Sequence, residues 1–152
     1  MHGRFVKQLL WISLATCFFF IAMSTGYDAI AQQKEVQTVI IKILPPKEAF
    51  ELIQKNTGNK NFVIIDIRTP EEFASGHIQG AINMNYHSDT FIDDLNKLDK
   101  TRTYLVYCRT GRRSSDGVSI MIRLGFKDIY RIQGDIVRWK AEGLPVIKSS
   151  DK

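Results

Sequence analysis

The sequence runs to 152 residues, 44% of them hydrophobic and 24% charged, with 21 Lys+Arg against 16 Asp+Glu and two cysteines. That is chain enough for one compact domain with a real core, and it is too apolar for a disordered one. Two cysteines make neither a disulfide-stapled mini-protein nor a four-cysteine zinc site, and a net charge of +5 without a basic stripe or an aromatic stacking platform does not mark a nucleic-acid binder.

Residues 1–31 have the pattern of an export signal. Arg4 and Lys7 give a basic start, an uncharged apolar stretch runs from Leu9 to Met23, and Ala29-Ile30-Ala31 offers the small-x-small sequence that signal peptidase reads. The stretch is short of the roughly 20 residues of a membrane-spanning helix. Extension through Ser24-Thr25-Gly26 would make it an uncleaved anchor, so the expected location is periplasmic or secreted, with inner-membrane anchoring as the alternative. A lipoprotein reading at Cys17 is disfavoured, because Thr16 is bulky for the position before a lipidated cysteine and Phe18-Phe19-Phe20 continues the apolar core. Cleavage after Ala31 removes Cys17 and lowers the net charge by one, leaving Cys108 as the single thiol in an oxidising compartment. Such a thiol is either buried and inert or kept for its reactivity.

The remainder divides into a flexible arm, 32–37, and a domain, 38–148. In chain order, Val39–Ile43 is a β-branched strand. Pro45-Pro46 ends it and opens a helix with Ala49, Phe50 and Ile53 on one face, broken at Gly58-Asn59. Phe62–Ile67 is a nearly continuous apolar run, the mark of a strand buried on both faces of a parallel sheet. Thr69-Pro70-Glu71-Glu72 is a helix start with a capping box. A short strand at Ala81–Met84 follows the turn at Gly76–Gly80, and Phe91, Ile92, Leu95 and Leu98 space out the next helix. Tyr104–Tyr107 is a strand that stops at Cys108. Val118, Met121 and Ile122 then mark a helix that Gly125 closes. Asp128–Ile132 is the last strand, and a short helix through Trp139 is stopped by Gly143 and Pro145. Strands alternating with helices predict an α/β domain with a mainly parallel sheet covered on both faces, whose ligands sit at the carboxyl ends of strands.

Cys108 stands at one of those ends, in Cys108-Arg109-Thr110-Gly111-Arg112-Arg113-Ser114. Loop N–H groups, the start of a helix and three arginines within six residues of the sulfur all favour thiolate over thiol. A small core cysteine beside a solvated basic face is the plain alternative, and a buried inert thiol is seldom followed by such a loop.

Three blocks in this order, Asp66–Phe73 running into Gly76–Ala81, the Cys108 loop, and Leu124-Gly125-Phe126 with Gly134 and Trp139, resemble the single-domain rhodaneses, the thiosulfate sulfurtransferase family. The resemblance covers about residues 38–147. It implies a five-stranded rhodanese-like fold and a ping-pong transfer of sulfane sulfur from thiosulfate or a related small anionic donor to cyanide or a thiol, through a persulfide on Cys108. It implies substrate contacts from Arg109, Thr110, Gly111, Arg112 and Arg113, with Arg113, nearer the helix, the one most open to structural pairing. It implies neither a metal nor an organic cofactor. Asp66 and Arg68 are expected to support the strand end structurally. Membrane contact is expected only with an uncleaved leader. Two departures stand out: Gln79, where the family often has Pro, expected only to loosen a turn, and Asp135, where it often has Gly. Asp135 suits a helix cap and lies in a loop expected near the pocket.

Two other readings share this fold. A non-enzymatic persulfide carrier or docking domain would keep the cysteine and turn over thiosulfate poorly. Rhodanese-like phosphatases and arsenate reductases use a Cys-x5-Arg loop one residue longer, and here Ser114 stands where their arginine would be.

Overall fold

The computed structural model describes residues 38–148, and the proposed leader and arm lie outside them. Five strands, β1 (Ile40–Leu44), β2 (Phe62–Asp66), β3 (Ala81–Asn83), β4 (Thr103–Tyr107) and β5 (Asp128–Ile132), form one sheet in the order β1-β5-β4-β2-β3. All four neighbouring pairs are parallel. Five helices connect them: α1 (Pro46–Lys55), α2 (Pro70–Ala74), α3 (Phe91–Asn96), α4 (Arg112–Arg123) and α5 (Asp135–Ala141). No helix among the described residues is long and apolar enough to cross a membrane.

Alternating residues of the buried strands feed two cores. On one face Ile65, Tyr104, Val106 and Ile129 meet Phe91 and Leu95 of α3 and Val118 and Met121 of α4. On the other, Ile64, Leu105, Tyr107 and Ile132 meet Ala49 of α1 and Ile136 and Trp139 of α5. Trp139 is fully buried and donates its indole N–H to Pro145 O at 2.9 Å. A single strand that supplies both cores has no polar face, which explains the unbroken hydrophobic runs of β2 and β4.

Two apolar features of the sequence are exposed in the fold. The β-branched run at the start of the domain is a strand, but an edge strand, and Ile40, Ile41 and Ile43 are 43–57% exposed. Ile92, placed on an apolar helix face by spacing, is also exposed, while Phe91 and Leu95 carry the packing of α3.

The topology fixes where a ligand can approach. From β2 the chain moves outward to β3, and from the neighbouring β4 it moves the opposite way to β5. Connections diverging from adjacent parallel strands leave a crevice at their carboxyl ends. Asp66 ends β2, and Cys108 follows directly after β4.

Candidate active site

Cys108 is 1% exposed and has no disulfide partner. Its loop is short: Arg109, Thr110 and Gly111 separate it from α4. Gly111 is the N-cap of that helix with φ 112°, a left-handed conformation open to glycine and strained for other residues. This turn folds the chain back so that the Gly111 N–H donates to Cys108 Sγ at 3.2 Å. The next N–H groups belong to the first turn of a twelve-residue helix, where no intrahelical acceptor exists, and they bring partial positive charge to the loop.

The back of the loop is held by residues distant in sequence. Arg131, at the end of β5, donates to Gly111 O at 2.8 Å and to Ser114 Oγ at 3.1 Å. Ser114 Oγ in turn donates to Gly111 O at 3.1 Å. From α5, Ile136 N–H donates to Cys108 O and Val137 N–H to Arg109 O, each at 3.2 Å. Asp135 adds a carboxylate that accepts the Cys108 N–H at 2.5 Å. It is fully buried at φ 53°, the one non-glycine residue with positive φ among those described. Burial pushes its carboxyl up from the usual range, against the Cys108 N–H, the Ser114 hydroxyl and the Arg131 charge, which favour the anion.

The flanking charges divide into paired and free. Arg113 makes a two-bond fork to Glu72 at 2.6 and 2.9 Å, and those hydrogen bonds hold the Glu72 carboxyl down at about 2. Glu72 is also the capping-box residue of α2, accepting the Thr69 N–H, so one carboxylate serves a helix start and a helix-to-helix bridge. Arg109 and Arg112 are exposed, and neither side chain has a hydrogen bond or ion pair among the described residues.

Below the loop, Arg68 donates to both Asp66 oxygens, at 2.6 Å for the Nη2–Oδ2 contact, and to Gly76 O at 2.9 Å. Both side chains are buried. Tyr107 packs beneath the Arg68 guanidinium and accepts the Ile78 N–H on its hydroxyl, whose ionisation burial strongly opposes. Asp66 and Arg68 thus tie the end of β2 to the Gly76–Gly80 turn.

A rhodanese-like domain model matches residues 49–142. The chain belongs to the rhodanese-like family. It is 35% identical over 100 residues to thiosulfate sulfurtransferase GlpE of Pseudomonas putida, covering 66% of this chain and 86% of that one. It is 29% identical over 96 residues to a sulfurtransferase of Allochromatium vinosum, covering 63% and 88% of the two chains. Among solved structures, a rhodanese-related protein from Thermoplasma volcanium superposes with a TM-score of 0.53 at 27% identity, over 70% of this chain and 97% of that one. These relatives support sulfurtransferase activity in general.

Within this rhodanese-like site the structure brings Cys108, Arg109, Thr110, Gly111, Arg112 and Arg113 into one loop and helix start, and it engages Arg113 with Glu72. Asp135 is not the helix cap that its position suggested. Gly134 occupies the N-cap with no side-chain cap, and the Asp135 carboxylate turns instead to the backbone of the cysteine. Arg131 and the bridging role of Ser114 went unforeseen. His77 stacks on Phe73 and bonds its backbone carbonyl through Nδ1, and no metal-binding cluster of His, Cys, Asp or Glu occurs among the described residues. A separate cavity of about 620 Å³, lined by Phe50, Ile53, Phe62 and Trp139, contains none of the cysteine-loop residues.

Proposed function

We propose that this chain transfers sulfane sulfur from thiosulfate or a related donor to cyanide or a thiol through a persulfide on Cys108. The observation that carries the reading is Cys108 at the carboxyl end of the central strand, with the Gly111 N–H on its sulfur and two guanidiniums without a partner among the described residues, Arg109 in the loop and Arg112 at the start of α4. In the first half-reaction the Cys108 thiolate bonds to the outer sulfur of thiosulfate. The S–S bond of the donor breaks, and sulfite leaves with the bonding pair. In the second, a thiolate or cyanide takes the outer sulfur of the persulfide and Cys108 is released as thiolate. Loop N–H groups and the two arginines stabilise the anionic donor, the departing sulfite and the persulfide anion. The leader pattern of residues 1–31 supports a periplasmic or secreted setting for this chemistry.

The direct test is an intact mass spectrum of the protein after incubation with thiosulfate. The wild type should gain about 32 Da, the mass of one sulfur, on the peptide containing Cys108, and Cys108→Ser should not. An adduct that persists at full yield in Cys108→Ser would rule the mechanism out. Sequencing the amino terminus of the exported protein checks cleavage after Ala31.

A further inference from the structure

The chemistry above leaves one buried group beside the sulfur unused. Asp135 Oδ1 accepts the Cys108 N–H, but Oδ2 has no hydrogen-bond partner although the residue is fully buried. Oδ2 lies 3.2 Å from the point a Cβ on Gly111 would occupy, and Gly111 is the residue whose N–H reaches the sulfur. An under-satisfied carboxylate held in a left-handed backbone conformation is costly twice over, once for desolvation and once for strain. Its effect on the loop is a matter of charge. Of the guanidiniums around the loop, Asp66 takes up Arg68, Glu72 takes up Arg113, and Arg131 converges with Asp135 on Gly111 from the β5 side. Arg109 and Arg112 are left to meet an anion.

Donors differ in the charge they bring. With thiosulfate, a thiolate attacks a dianion, and three negative charges persist from reactants to the Cys108 persulfide anion and sulfite. With a protonated thiol persulfide, RSSH, the Cys108 thiolate bonds to the terminal sulfur, the RS–SH bond breaks, and RS⁻ leaves with the bonding pair. The transferred sulfur keeps its proton, and a single negative charge is present throughout. A fixed carboxylate behind the loop penalises the first process far more than the second, because like charges repel most strongly where water is excluded.

We infer that Asp135 is a specificity-determining residue whose buried carboxylate turns this site away from dianionic donors and toward thiol persulfides. The inference rests on the sulfur-transfer reading and names its donor class. The test is the single-turnover rate of sulfur loading on the full chain, mapped to the Cys108 peptide, with thiosulfate and the persulfide of 2-mercaptoethanol as the two donor probes, at a mildly acidic pH where that persulfide is protonated and carries no charge. Asp135→Asn keeps an acceptor for the Cys108 N–H and tolerates positive φ while removing the charge, and Asp135→Gly serves if the first variant folds poorly. The expected result is that either variant raises the thiosulfate-to-persulfide rate ratio at least tenfold. Any general effect on the thiolate cancels in that ratio. A ratio within twofold of wild type, including equal losses with both donors, overturns the assignment and leaves Asp135 a structural clamp. No loading of wild type by either donor overturns the sulfur-transfer reading itself.

Discussion

Cys108 has two kinds of arginine around it, and they should fail differently. Arg109 and Arg112 are exposed with no partner among the described residues, so Arg109→Ala and Arg112→Ala should each lower kcat/KM for thiosulfate about 10-fold or more through loss of a charge-assisted contact, with little change in Tm. Arg113 spends both terminal nitrogens on Glu72. Arg113→Ala should therefore lower thermal stability more clearly than Arg109→Ala does. Steady-state kinetics beside thermal melts of the three variants distinguish these outcomes. If Arg113→Ala lost as much donor use as Arg109→Ala at unchanged Tm, its pairing with Glu72 would not be its main role.

The Arg113–Glu72 fork fastens α2 to α4, and it sets a pH dependence with a definite sign. The Glu72 carboxyl lies near 2 in the folded protein against an ordinary value of 4.5. The folded state therefore gains from the ionised form, and that gain is complete above the ordinary value and lost as pH falls toward 2. Glu72→Gln should melt earlier than wild type at pH 6, by on the order of 1 kcal/mol for a partly exposed pair, and the difference should vanish near pH 2. Melts across that range read it directly. The same bridge shows what a sequence can and cannot disclose. Thr69 and Glu72 sit at capping-box spacing and are legible as a helix start, whereas the partner of Glu72 is 41 residues away and only the folded sheet brings it close. Cys108 and its loop were legible for the same reason: strand, thiol, glycine and arginines follow one another directly. Arg131 was not, because a lone arginine in a strand looks like any edge-facing charge until β5 is placed beside β4. The edge position of β1 was hidden likewise, since periodicity reports that a strand is apolar and not which neighbours it has.

At the scale of the domain, packing rests on the two cores, and Trp139 is the largest fully buried side chain among the described residues. Trp139→Ala should cost about 3–5 kcal/mol, measurable by denaturant unfolding. Because α5 carries this tryptophan at one end and touches the cysteine loop at the other, the variant should also slow sulfur loading on Cys108. By contrast Ile41→Lys on the exposed β1 edge should leave stability within about 0.5 kcal/mol. The backing of the loop by Asp135, Ile136 and Val137 bears on the order of events during synthesis. A ribosome makes Cys108 well before it makes the segment that clamps the cysteine backbone from behind. Until α5 has emerged and docked, the growing chain carries Cys108 in a turn without those backbone clamps. The bracing of the Cys108 backbone is complete only when the carboxyl-terminal part of the domain closes over it, so chains interrupted before α5 would lack the clamps from Asp135, Ile136 and Val137.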